Sequence, residues 1–309
     1  ITDPTSPTSV GSLGDDGIEG GCNSTQVCLD GAKGIAIETI NGTPYAIVGA
    51  TYDDGIEIID ISDPTSPTSV GSLGDDGIEG GCTVSQVCLD HVKGVRTTTI
   101  NDKTYAIVSG QNDDGIEIID ISDPTSPTSV SRVVDDDDAN NDGRNDTADV
   151  CTVANEQRCL DGIRQIAIAE VGGIGDTSGT HYVITAGRFD NGIDVIDISD
   201  PENPTYLLSI TDDDSNCSTA DTDGDGNCEL DGPSYIAPIT TIGTSTYVIV
   251  TGQDDDGIQI IRLCENCETI GTTSSTVSTS TSSGICARHV ILGNCGTIAI
   301  NNDAYRIID

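Results

Sequence analysis

The chain has 309 residues and a net charge of −40, from 52 acidic and 12 basic side chains. That balance excludes nucleic acid and anionic membranes as partners held by direct charge attraction, and no apolar run is long enough to span a bilayer. One Phe, no Trp and eight Tyr leave the interior to Ile, Val, Leu and Ala, while 36 Gly and 11 Pro break the chain into short runs; β-branched residues between so many turns predict an all-β fold.

In chain order, the elements are written as a repeat. The block ITDPTSPTSVGSLGDDGIEGGC at Ile1 to Cys22 returns at Ile61 to Cys82 with one change. ISDPTSPTSV follows at Ile121 to Val130, and ISDPENPTYL at Ile198 to Leu207. Such self-similarity predicts an array of one supersecondary unit, each burying its apolar face against the next. The repeat units fall at 34–73, 94–133, 162–210 and 232–273, with a divergent fifth at 286–309. Within the first, three runs rich in Ile, Val and Tyr are separated by Asn41-Gly42 and Asp54-Gly55. Both dipeptides predict two-residue hairpins with positive φ. Asp63-Pro64 and Pro67 then end the third strand and start a fourth. Four antiparallel strands per unit is the blade of a β-propeller, here of about five blades.

The last unit stops at AYRIID, where the others continue IIDISDPTSPTSV. The missing continuation is the amino terminus, ITDPTSPTSVGSL. Thr8 to Leu13 is therefore expected to complete the fifth blade, in its own chain or in a neighbouring copy. Donation to a neighbour is head-to-tail, and such a contact that does not close makes a filament, a homopolymer held by its terminal strands. The stretch 272–284 is Ser/Thr-rich and reads as an exposed loop or an O-glycosylated segment.

The third strand and its exit carry a family resemblance. GIEIIDISDPTSP at Gly55 and Gly115, and GIDVIDISDPENP at Gly192, resemble the LVIVD repeat; GIQIIRL at Gly257 departs after its second Ile, and AYRIID matches weakly. The resemblance implies a secreted or cell-surface β-propeller. It implies no catalytic residues, because the family shares none to carry over.

The twelve Cys form six local couples: Cys22/Cys28, Cys82/Cys88, Cys151/Cys159, Cys217/Cys228, Cys264/Cys267 and Cys286/Cys295. An even count at recurring places reads as a disulfide framework of an oxidising compartment. Zinc is the rival, but Cys264 to Cys267 is the one CxxC and no second completes four ligands. The chain lacks an initiator Met and reads as a mature, secreted form whose signal peptide has been removed. Sequons at Asn23, Asn41, Asn145 and Asn216 are compatible with a glycosylated extracellular surface.

Calcium is the expected cofactor. Asp221, Asp223 and Asp225, then Gly226 and Asn227, follow the alternating-oxygen pattern of a calcium loop. Position twelve is Gly232, so Glu229 or Asp231 must close the shell; the alternative is a solvated acidic turn. Asp138, Asn140, Asp142, Asp146 and Asp149 repeat the grammar in another long connection. A calcium ion and a short disulfide ring would order loops that cannot bury a core of their own.

In a propeller blade, the second hairpin turns and the connections between blades share one face. That face would gather Asp53, Asp54, Asp113, Asp114, Asp190 and Asp254 to Asp256, together with both calcium loops, and could take cations or a cationic partner. Nothing resembles HExxH, GxSxG, a P-loop or GxGxxG, and His91, His181 and His289 stand apart. No catalytic residue is assigned and an enzyme is not expected.

Overall fold

The computed structural model describes residues 5–17, 27–75, 87–135, 160–171, 180–211, 232–242, 245–253, 257–264, 286–291, 294–295, 297–301 and 304–308. Every regular element among them is a strand. The chain divides into two compact units, Ile1–Val133 and Val134–Asp309.

The first unit holds two four-stranded meanders. One runs β1 (Ala32–Ile40), β2 (Thr43–Ala50), β3 (Gly55–Asp60) and β4 (Thr68–Gly74). The other repeats it sixty residues on, as β5 (Val92–Ile100), β6 (Lys103–Gly110), β7 (Gly115–Asp120) and β8 (Thr128–Val134). Alternation along the strands gives each sheet two faces. Ile47, Ile56 and Ile58 of the first sheet pack with Leu89 of the loop before β5 and with Val92, Val95, Ala106, Val108 and Ile119 of the second sheet in one buried core. The far face of the first sheet, Ala46, Val48 and Ile59, is covered by Leu13, Leu29 and Ile61.

The second unit repeats the plan. β9 (Ile163–Val171), β10 (Thr180–Gly187), β11 (Gly192–Asp197) and β12 (Thr205–Thr211) form a third meander. A six-stranded sheet follows, from β13 (Pro233–Ile236), β14 (Thr240–Ile242), β15 (Ser245–Gly252), β16 (Gly257–Cys264), β17 (Cys286–Ile291) and β18 (Asn294–Cys295). The two sheets share a core of Ile184, Val195, Ile236, Val248, Val250 and Ile261, among others. A hairpin, β19 (Thr297–Asn301) and β20 (Ala304–Ile308), ends the chain.

Three details differ from the sequence reading. β17, which opens the fifth unit of the sequence reading, is instead the outer neighbour of β16. A third strand needs a fourth beside it to cover its edge, and β17 fills that place after the Ser/Thr-rich stretch. The final hairpin then has two strands among the described residues. The turn at Asp54-Gly55 is also not a two-residue hairpin. Ala50 pairs with Gly55, so four residues intervene; Asp54 adopts φ 50°, and Gly55 is already the first residue of β3. An Asp tolerates that left-handed position, which frees the glycine to sit inside the sheet. The turn at Asn41-Gly42 does match, with Ile40 opposite Thr43 and both φ positive.

The segment Thr8–Leu13 lies on the first sheet, but no strand among the described residues pairs with it. Its contact is the counterpart of one between the repeats. A Cβ on Gly11 would stand 2.2 Å from the Pro64 carbonyl oxygen, and one on Gly71 would stand 2.3 Å from that of Pro124. Both approaches require glycine, because the obstacle is backbone that cannot rotate away. Gly71→Ala is expected to destabilise the protein by roughly 1–3 kcal/mol, while Gly14→Ala, with open space around it, is near neutral; calorimetric unfolding of the two variants checks the contrast.

Candidate functional site

The loops that enter the first three repeats are held by carboxylates among the described residues. In the first repeat four successive backbone N–H groups each donate to a different one. Val27 donates to Asp16 Oδ2 (3.1 Å), Cys28 to Glu57 Oε2 (3.0 Å), Leu29 to Asp15 Oδ1 (3.4 Å) and Asp30 to Asp53 Oδ2 (2.9 Å). The second repeat continues the scheme. Cys88 donates to Glu117 Oε2 (3.1 Å), Leu89 to Asp75 Oδ1 (3.4 Å), Asp90 to Asp113 Oδ2 (2.8 Å) and His91 to Asp54 Oδ1 (2.9 Å). In the third, Asp161 donates to Asp190 Oδ2 (2.8 Å). Acids from the preceding connection, the second turn and the third strand thus converge on one short loop.

Burial of these groups sets their protonation. Asp53, Glu57, Asp113, Glu117, Asp190 and Asp194 are all buried. Burial raises the pKa of Asp53, Glu57 and Glu117, against the lowering effect of their hydrogen bonds. Asp190 is pushed up to about 9 by burial, then by the charge of Asp135. Low dielectric disfavours the charged form, and four acids around one loop repel one another.

The repeats answer the buried third-strand acid differently. Beside Glu117, Ser129 donates to Oε1, and the Arg132 guanidinium lies 3.5 Å from Oε2 and donates to Ser129 Oγ (3.0 Å). Beside Asp194, which pairs in register with Ser209, the Ser209 hydroxyl donates to Oδ1 and Tyr206 joins it at 2.7 Å. Glu57 pairs in register with Ser72. Ser69 favours its ionised form, yet Glu57 Oε1 and Ser72 Oγ both lack a partner in hydrogen-bonding geometry.

One cluster has a different donor set. The imidazole of His91 faces two carboxylates, with Nδ1 at 3.1 Å from Asp90 Oδ1 and 3.7 Å from Asp54 Oδ1. The Asn112 amide donates to Asp90 Oδ1 (3.3 Å), and Tyr52 meets the ring edge-on at 5.9 Å between centroids. Asp54 is raised to about 6, chiefly by burial, with Asp90 adding to the rise and His91 opposing it. The sequence reading set His91 apart from any site. The signal was present nonetheless: Cys-Leu-Asp-His at Cys88 to His91 stands where the neighbouring repeats read Cys-Leu-Asp-Gly.

The other expected residues are placed as follows. Asn41 is exposed in its hairpin turn, and Asn23, Asn145 and Asn216 lie outside the described residues. So do both calcium loops, from Asp138 to Asp149 and from Asp221 to Asp231. Cys28 and Cys88 are disulfide-bonded; their expected partners, Cys22 and Cys82, lie outside the described residues, as do Cys151, Cys159, Cys217, Cys228 and Cys267. The backbone register sets Cys264 opposite Cys286, although the sequence couples them with Cys267 and Cys295. His181 is buried at the start of β10, and His289 falls in β17.

The repeated span from the second strand to the acid after the fourth is also what comparison recognises. The LVIVD repeat matches residues 44–75, 104–135 and 184–212. The chain carries LVIVD repeats. No curated protein matches it in sequence. Similar solved structures include an exo-β-1,3-galactanase from Phanerochaete chrysosporium with galactose, at 8% identity and a TM-score of 0.42, over 77% of this chain and 47% of that one. A protein from Lactobacillus plantarum is 12% identical with a TM-score of 0.41, over 86% and 67%. A thermostable family-43 glycoside hydrolase is 11% identical with a TM-score of 0.42, over 91% and 94%. The chain spans about half the length of the galactanase. Likenesses this distant transfer no residue, substrate or reaction to this chain.

The buried acids give the protein a pH dependence of definite sign. Asp190 titrates near 9 when folded and near the ordinary carboxyl value when unfolded. Its contribution to stability is therefore full below about pH 4 and is lost as pH rises towards 9. Without divalent cations, the melting temperature is expected to fall from pH 5 to pH 9. Asp190→Asn should flatten that slope in a thermal-shift series across the same range.

Proposed function

We propose that the protein is an extracellular structural module, a β-propeller of LVIVD blades that assembles head-to-tail through its terminal strands. The observation that carries the reading is the open outer face of the first repeat. Ile35 in β1 is 57% exposed, whereas Val95, its counterpart in β5, is fully buried by the repeat before it. Ile37 and Val10 are likewise exposed, at 59% and 61%. The first repeat therefore presents the surface that a preceding repeat covers elsewhere. Thr8–Leu13 lies there as a strand-length segment without a strand partner among the described residues. A terminal hairpin of another copy, adding its edge to that segment, would complete a blade by β-augmentation. Head-to-tail contacts of this kind extend into a fibre.

The remaining features support the same role. Carboxylates occupied by backbone N–H groups hold loops in place, which is a structural task. The disulfide-bonded Cys28 and Cys88 in the first two entry loops suit an oxidising exterior, and a net charge of −40 keeps assembled chains soluble and favours cations over anionic partners. Calcium in the loops at Asp138 to Asp149 and Asp221 to Asp231 would lower the self-repulsion of the acid. Glycans at the four sequons would suit the same extracellular setting.

Electron microscopy tests assembly. The full chain should form filaments, and Val10→Asp or deletion of residues 1–13 should leave single particles. Val10 is exposed within the chain, so its substitution should change unfolding free energy by less than about 0.5 kcal/mol. Single particles from the unaltered protein would favour the other reading, a monomeric adhesin or ligand-binding module. For calcium, chelation is expected to lower the melting temperature and added calcium to restore it. An unchanged melting temperature would remove calcium from the account.

A further inference from the structure

The acid clusters at the repeat entries offer oxygen alone, and their oxygens already accept backbone N–H groups. The group at the junction of the first and second repeats is chemically different. Asp54 comes from the turn before β3, and Asp90 and His91 come from the loop before β5. We propose that Asp54, Asp90 and His91 form a binding site for a divalent metal ion of the zinc class, which staples the first repeat to the second.

Geometry favours the site first. One ligand atom from each residue lies within 4.8 Å of the others. A tetrahedral zinc with bonds of about 2.0 Å sets its ligands about 3.3 Å apart. The distances of 3.1 and 3.7 Å from Nδ1 to the two carboxylates bracket that value.

The supporting contacts are those that orient ligands at metal sites. Asp54 Oδ1 is held by the His91 N–H at 2.9 Å, and Asp90 Oδ1 by the Asn112 amide at 3.3 Å. Hydrogen bonds of this kind fix a carboxylate and leave its other lone pairs free for a metal. The side chains of His91 and Asp54 are 36% and 29% exposed, so an ion can enter from solvent and water can complete its shell. One imidazole beside two carboxylates selects a borderline cation such as zinc over calcium, which takes oxygen ligands.

The backbone singles out the same residue. His91 has φ 56°, in the left-handed region that glycine occupies at Gly31, Gly162 and Gly232 in the equivalent loops. An imidazole is carried here at a position where the fold elsewhere uses no side chain at all. That replacement also supplies an unusually clean control. His91→Gly removes the ligand and installs the residue that the other repeats place there, so the variant retains the fold.

The experiment is a titration of the metal-stripped full chain with Zn2+, followed by imidazole NMR and by thermal unfolding. The protein has three histidines, and His91→Gly assigns the His91 signals by their loss. About one equivalent of Zn2+ should shift the His91 imidazole at micromolar concentration and raise the melting temperature. Ca2+ should leave the imidazole unshifted. Asp54→Asn should weaken zinc binding about tenfold or more, the scale set by losing a ligand or its support. Three results would overturn the site. One is an unshifted His91 imidazole, which would leave only contacts of the ring with the two carboxylates. Another is zinc bound as tightly by His91→Gly as by the parent, which would place it on the general acidic surface. The third is an equal imidazole response to calcium.

Discussion

The fold depends on carboxylates that accept hydrogen bonds from consecutive backbone N–H groups of a short loop. Such a loop cannot join a sheet, and its buried donors must be satisfied by something. Glu57 and Asp53 meet that need for Cys28 and Asp30, while Asp16 and Asp15 take the exposed donors of Val27 and Leu29. A charged acceptor makes a stronger bond than a neutral one, but several together repel, and burial raises the pKa of Asp53 and Glu57. The acidity of this protein is thus partly a building material. It fastens the second repeat to the first, since Asp75 and Asp54 of the first hold Leu89 and His91 at the entry to the second.

That fastening makes repeats neighbour-dependent. In the first unit, the core between the two sheets is formed by residues of both, and neither sheet alone could bury Ile58 or Val95. The cost falls on the first repeat, whose outer face is covered among the described residues by Leu13, Leu29 and Ile61 and leaves Ile35 and Ile37 exposed. Arrays of this type need something at each end, a cap or a partner. The exposed Ile35 and Ile37 are not features of a polar cap.

Much of this was legible in the sequence, for physical reasons that differ by element. The four-strand meander followed from β-branched runs between Asn41-Gly42 and the Asp63-Pro64 break, which leave the chain few alternatives. The convergence of Asp53 with acids from the entry connections followed from the topology of such a meander. What failed was local geometry. The dipeptide Asp54-Gly55 has the composition of a tight hairpin turn, but Thr51 and Tyr52 are drawn out to bond the backbone of Gly31 and Asp30. Tertiary contact overrode turn propensity there. The place of β17 was hidden because strands of the fourth repeat are separated by a long insertion, where periodicity gives no guide. His91 was missed because its partners lie 37 positions and one position away, and only folding brings Asp54 to it.

The hexapeptide Thr-Ser-Val-Gly-Ser-Leu occurs twice, at residues 8–13 and at 68–73. The second copy is β4, zipped to the outer side of β3; the first has the same atoms and no such berth among the described residues. By composition, β3 has no means of telling its own β4 from the leading segment of any other molecule. Only tethering decides, through the tight link in which Ser66 N–H donates to the Asp63 carbonyl at 3.0 Å. Attachment in the same chain gives β4 an effective concentration that a free competitor must exceed. Selfhood at this edge is therefore a matter of connectivity, since the duplication leaves the two hexapeptides identical in sequence.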